Sequence, residues 1–195
     1  MNDRIFAAMA LTLLLGASAG CGGEPKREAQ TRSDVAPATA TAAALTLTSP
    51  AFREGEPIPA RHACTGANLS PELNWSNPPE GVAAWALVCH DPDAPVGDWV
   101  HWVIYDLPGQ TQALPEGMPD SPELENGARQ GRTDFGRPGY GGPCPPPGKP
   151  HRYLFELYAL KEPTGLGAGA TRDQLLTAIR DKIISQAVLT GNFKR

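Results

Sequence analysis

The chain has 195 residues, 41% of them hydrophobic and 19% charged, which suits one globular domain and excludes a largely disordered chain, a coiled coil or a collagen-like fibre. Its 21 prolines and 21 glycines exclude an all-helical bundle, because interior proline breaks helices. A net charge of −4 argues against nucleic acid as a partner, since a phosphate backbone calls for a basic face, and four cysteines are too few for a disulfide-dense miniprotein.

Ile5 to Ala19 form an apolar run shorter than the roughly 20 residues of a spanning helix. Arg4 precedes it and small residues close it, so it reads as a secretory signal peptide. Its ending, Ser18-Ala19-Gly20-Cys21, resembles the lipobox of bacterial lipoproteins. That resemblance implies lipidation of Cys21 after cleavage, export to the cell envelope and a membrane anchor. Gly22 after the cysteine leans, by the same resemblance, towards the outer membrane. Residues 22–44 hold Val35 as their only larger aliphatic side chain, too little apolar surface to offset the entropy of ordering, and are expected to be a flexible tether. The expected organisation is a signal peptide over 1–21, a linker over 22–44 and one ligand-binding domain over 45–195.

Leu45 to Ser49 alternates apolar and polar residues, as a half-buried strand does. Trp85 to Cys89 is continuously apolar and reads as a buried strand. Trp99 to Leu107 is a second long run rich in β-branched and aromatic residues. Gly109 to Pro138 has little periodicity and reads as a long surface excursion, its acidic, Pro-rich part from Pro115 to Glu125 offering a contact surface. Arg152 to Leu160 is a third strand, with Tyr153, Phe155, Leu157 and Ala159 on one face. A helix is predicted over Arg172 to Ala187: Thr171 and Gln174 make a capping box, and Leu175, Ile179, Ile183 and Ala187 recur every four residues. Val188 to Phe193 follows as a short final strand. The sum is a mainly β domain, an antiparallel sandwich-like core with one or two peripheral helices.

Several polar residues sit in loops that bound these strands. Alternation places His101 on the face of Trp99, Val103 and Tyr105, where a core histidine with one hydrogen bond is the ordinary reading. His151 alone reads as a strand-edge residue, and Asp91 and Asp93 as turn formers before proline. The combination says more. Cys64-Thr65-Gly66-Ala67-Asn68-Leu69-Ser70-Pro71-Glu72-Leu73-Asn74-Trp75, Asp91-Pro92-Asp93-Ala94-Pro95, Val100-His101-Trp102-Val103, Gly142-Pro143-Cys144-Pro145-Pro146 and His151-Arg152-Tyr153, in that order, resemble the phosphatidylethanolamine-binding protein family, also called Raf kinase inhibitor-like proteins, and within it the bacterial YbhB/YbcL-type branch. The resemblance runs from about Thr48 to Phe193. It implies a β-sandwich-like fold, no catalytic activity, no cofactor and a small pocket for phosphate-type anions or phospholipid head groups. It implies Asp91, His101, Gly142, Pro145, His151 and Tyr153 as ligand-binding residues, with Asp93 a further candidate.

This set is chemically intelligible. A glycine N–H approaches an anion closely, imidazole nitrogens and a phenol donate, and prolines stiffen the wall so that less entropy is lost on binding. Asp91 is the exception, as a carboxylate repels an anion. It either accepts from a histidine N–H and fixes its tautomer, or accepts a proton that the ligand carries. Of the remaining cysteines, Cys64 and Cys144 flank the motifs in loops while Cys89 lies in a buried strand. A Cys64–Cys144 disulfide is the first expectation and three free thiols the alternative. Two other functional classes stay open. One is an envelope interaction factor of the protease- or kinase-inhibitor kind. The other is a metal or acid–base hydrolase using His62, His90, His101 or His151, for which no His-x3-His, Cys-x2-Cys or Gly-x-Ser-x-Gly pattern is present.

Overall fold

The structure is a computed structural model that describes residues 43–195; the signal peptide, Cys21 and nearly all of the linker lie outside the described residues. The described chain is mostly β, with two antiparallel sheets and one α-helix. Strands β1 (Thr46–Thr48), β2 (Leu73–Ser76) and β5 (Ala113–Leu114) form a three-stranded sheet in the order β1-β2-β5. Strands β3 (Ala84–Asp91), β4 (Trp99–Pro108), β6 (Arg129–Gln130), β7 (His151–Leu160) and β8 (Ile183–Phe193) form a five-stranded sheet in the order β6-β4-β3-β7-β8.

The central strand β3 is buried on both faces, which is why its sequence is a continuous apolar run rather than an alternating one. Trp85, Leu87 and Cys89 point into the main core between the sheets, together with Tyr153, Phe155, Leu157 and Ala159 of β7 and with Leu47, Leu73 and Trp75 of the smaller sheet. Ala84, Ala86 and Val88 point the other way, into a second core under the helix.

That helix, α1 (Arg172–Ile179), begins as its sequence demands. Thr171 Oγ1 accepts from Gln174 N, and Gln174 Oε1 accepts from Thr171 N. Leu175 and Ile179 fill the second core. The predicted continuation to Ala187 is not helical: after a turn at Arg180–Lys182, residues Ile183 to Phe193 form an eleven-residue strand paired along β7. Ile183, Ile184, Val188 and Thr190 are β-branched and suit a strand, so a ladder against β7 wins over a repeat of four that both structures tolerate.

The stretch from Gly109 to Pro138 is more structured than its sequence suggests. It contributes β5 to one sheet and β6 to the other. Gln130 is its anchor: fully buried, it accepts from Trp102 Nε1 (2.7 Å) and donates to Pro119 O (2.6 Å) and Ser121 O (2.8 Å). A buried amide with its hydrogen-bonding capacity so used fixes a loop that has little apolar periodicity of its own.

Candidate functional site

Strands β4, β3 and β7 are neighbours, and the end of β3 meets the starts of β4 and β7 at one end of the sheet. Asp91 is the last residue of β3, His101 lies near the start of β4, and His151 and Tyr153 open β7. A cavity of about 300 Å³ opens there, lined by Asp91, His101, His151 and Tyr153 at its floor and by Cys144, Pro145 and Pro146 along one wall. Five of the six expected pocket residues therefore line one cavity.

His101 reaches it through a bulge. Cys89 pairs with Trp102 but His90 pairs with Val100, so His101 has no partner on β3. The extra residue breaks the alternation expected for this strand. Val103 and Tyr105 pack with Val100 under the helix, whereas His101 stands edge-on to Tyr153 with ring centroids 5.1 Å apart. Re-aiming a side chain towards a site is a recurring use of bulges.

The two imidazoles are held by their Nδ1 atoms. His101 Nδ1–H donates to Gly141 O (2.5 Å), and Gly141 N returns a bond to His101 O (2.9 Å). Burial lowers the His101 pKa below its ordinary value, against the opposing pull of Gly141 O, Asp91 and Asp134. His151 Nδ1–H donates to Asp91 Oδ2 (2.8 Å), while Asp91 Oδ1 accepts from Asp93 N (2.8 Å). Of the two roles open to Asp91, this geometry gives the first: the carboxylate orients His151 and leaves its Nε2 free for a ligand. Tyr153 is 1% exposed and its hydroxyl has no hydrogen-bond partner among the described residues. Burial first, and the nearby Asp91 charge second, push its pKa far up, so it stays a protonated donor.

Gly142 and Asp93, the other two expected residues, lie outside the cavity lining. Gly142 does not line the cavity, and its N–H donates to Asn68 Oδ1 (2.8 Å). A Cβ there would stand 2.2 Å from His62 O and 2.9 Å from Ala63 Cα, so glycine is required for close backbone packing. Gly142→Ala is expected to cost about 1–3 kcal/mol, because backbone cannot yield as a side-chain tip can. An unchanged thermal midpoint would contradict this. Asp93 also lies outside the lining. Its carboxylate takes Arg152 Nε and Nη2, both at 2.9 Å, and Arg152 N at 3.0 Å. The Arg152 side chain and backbone bonds hold Asp93 well below the usual carboxylate range, and the pair fastens the 91–95 turn to β7.

Sequence reasoning missed the other wall, which is Ala94, Pro95, Val96, Trp99 and Phe135. The signal available was Asp134-Phe135-Gly136, a large aromatic isolated between turn formers. Cys64 and Cys144 are joined by a disulfide with Cα atoms 5.4 Å apart, and Cys89 is a free buried thiol. The remaining histidines lie elsewhere. His62 Nδ1–H donates to Leu69 O, and His90 sits on the helix side of the sheet between Asp98 and Glu156. Among the described residues no group of three His, Cys, Asp or Glu side chains is placed to hold a metal ion. A larger groove of about 520 Å³ runs between β1 and β8, but no buried unpartnered polar atom faces it among the described residues.

Comparison with known proteins agrees with this architecture. The phosphatidylethanolamine-binding protein family matches residues 48–194. A protein of Aquifex aeolicus named UPF0098 protein is 45% identical over 159 residues, covering 80% of this chain and 92% of its own. A Mycobacterium tuberculosis protein named "Putative lipoprotein LppC" is 38% identical over 195 residues, covering 96% of this chain and 94% of its own. The crystal structure of Escherichia coli YbcL, described as a member of the mammalian PEBP family, superposes with a TM-score of 0.73 at 36% identity, covering 78% of this chain and 99% of that one. The chain belongs to the phosphatidylethanolamine-binding protein family.

Proposed function

We propose that this chain is an exported, lipid-anchored binding protein, non-catalytic, whose cavity takes phosphate-type anions or phospholipid head groups. The observation that carries the reading is a cavity lined by Tyr153, whose hydroxyl is buried and unpartnered among the described residues, and by two imidazoles tied down at Nδ1. A buried polar group left unpaired is costly, and a ligand oxygen that accepts from it recovers that cost. The Nε2 atoms of His101 and His151 supply the rest of the cradle, each donating when its ring is protonated. Among the described residues no lysine or arginine lines the cavity, so a protonated His101 is what offsets the charge of the ligand. The envelope location and the anchor at Cys21 rest on the signal-peptide and lipobox pattern, and similarity to the mycobacterial protein supports them.

Calorimetric titration of the full-length protein with inorganic phosphate and phosphoethanolamine tests the reading. Tyr153→Phe removes one hydrogen bond to a charged group and is expected to weaken both ligands about tenfold to a hundredfold. Saturable binding unaffected by this change would contradict the assignment.

A further inference from the structure

Four large hydrophobic side chains are well exposed among the described residues, and two of them, Val96 at 77% and Phe135 at 41%, line the same cavity as Asp91, His101 and Tyr153. Scattered exposed apolar residues need no explanation, but two that line one cavity beside buried polar side chains do.

Neither is on a loose loop. The segment that carries Phe135 is bound to β4: Val100 N donates to Asp134 Oδ2 (2.7 Å), Asp134 N to Val100 O (3.1 Å) and Gly131 N to Val103 O (2.9 Å). The Phe135 ring meets Trp99 and His101 edge-on, with centroids 5.6 Å and 5.3 Å away. It also packs on Gly141, where an added Cβ would stand 2.3 Å from the ring. Pro95 and Val96, which also line the cavity, follow Asp91 and the Asp93–Arg152 pair in a turn closed by Gly97 N donating to Ala94 O (3.0 Å). The cavity is therefore polar at its floor and apolar at its mouth, and both parts are set before a ligand arrives.

We propose that the site selects an organic monoester of a phosphate-type acid with an apolar substituent, aryl or short alkyl. The acid group rests on Tyr153, His101 and His151, and the substituent packs against the apolar lining of Phe135, Trp99, Val96 and Pro95. This rests on the reading that the floor takes such an anion, and adds that the mouth chooses among its esters. At about 300 Å³ the cavity has room for a head and the first atoms of a substituent, and a longer chain would continue outside.

Titration of the full-length protein with methyl, butyl and phenyl phosphate and with phosphoethanolamine tests this. Phenyl and butyl phosphate are expected to bind about tenfold tighter than methyl phosphate, as burying a modest apolar area would give. Phe135→Ala is expected to abolish that preference, read as the ratio of phenyl to methyl phosphate affinity within the variant, and Val96→Ser to reduce it. Methyl phosphate is the internal control for folding of each variant. Equal affinity for all esters would overturn the proposal. So would tightest binding of phosphoethanolamine, which would mean that the aromatic mouth takes an ammonium group. Equal weakening of every ligand by Phe135→Ala would overturn it as well. Failure of all four ligands to bind would instead overturn the phosphate reading, and this inference with it.

Discussion

Affinity for sulfate is expected to fall between about pH 6 and pH 8, by at most about tenfold per pH unit, with His101 the main cause. Sulfate does not titrate in this range, so the slope belongs to the protein. Burial lowers the His101 pKa below its ordinary value of 6.5, and Nδ1–H is committed to Gly141 O. The neutral ring thus offers only a lone pair at Nε2, which repels an anion. Binding needs a proton there, and each pH unit above the free-protein pKa costs about a factor of ten for one proton taken up. Asp91, His151 and Tyr153 share the floor; Tyr153 does not titrate here, because burial and Asp91 push its pKa far up. The same burial has the opposite sign for folding. The unfolded chain protonates His101 first, so this residue's contribution to stability is present above the unfolded pKa and is lost as pH falls from there through the lower folded pKa. His101→Asn keeps a donor for Gly141 O but loses the titrating nitrogen. Its affinity is expected to be low and its pH slope shallower, and an unchanged slope in calorimetry would assign the proton elsewhere.

Replacing Cys64 and Cys144 together by serine is expected to cost about 2–4 kcal/mol and to lower the thermal midpoint by roughly 5–15 °C. The bridge closes a loop between residues 80 apart in sequence, and constraint of the unfolded chain grows with loop length. It joins the turn after the short 3₁₀ helix Ala60–His62 to the Pro-rich wall of the cavity, which Cys144 itself lines. Other ties cross the same gap: Cys64 N donates to Pro143 O (3.1 Å), Tyr140 Oη to His62 O (2.9 Å) and Gly142 N to Asn68 Oδ1 (2.8 Å). These keep the fold intact in the variant while its unfolded state gains freedom. A midpoint unchanged in the double variant would mean that the hydrogen bonds alone set the stability of this wall.

The strands that build the main core were legible because burial writes itself into composition. Trp85 to Cys89 is apolar without a break as β3 is covered on both sides, and β7 alternates because Tyr153, Phe155 and Leu157 face inward while Arg152, Leu154 and Glu156 are less buried. The helix beyond Ile179 was misread because Leu175, Ile179, Ile183 and Ala187 satisfy a helical repeat that the pairing of β7 with β8 overrides. Motif order brought Asp91, His101, Pro145, His151 and Tyr153 to one cavity, but not their individual roles. The bulge at His101 depends on the register of β4 against β3, which is a property of two strands and is absent from either one alone. Glycine at 142 suits both close approach to an anion and close approach of backbone to backbone, and the sequence does not tell the two apart; the structure shows close backbone packing against His62 and Ala63. Phe135 stands out locally as an aromatic between turn formers, but nothing local says that it will lie against His101.

The most direct measurement is the imidazole nitrogen NMR spectrum of full-length protein labelled with ¹⁵N-histidine, recorded through a phosphate titration. Saturable shifts are expected at Nε2 of His101 and His151, with Nδ1 still hydrogen-bonded to Gly141 O and Asp91, and with His62 and His90 unmoved. No shift at millimolar phosphate, or shifts centred on His62 or His90, would contradict a phosphate-type site at the joint end of β3, β4 and β7.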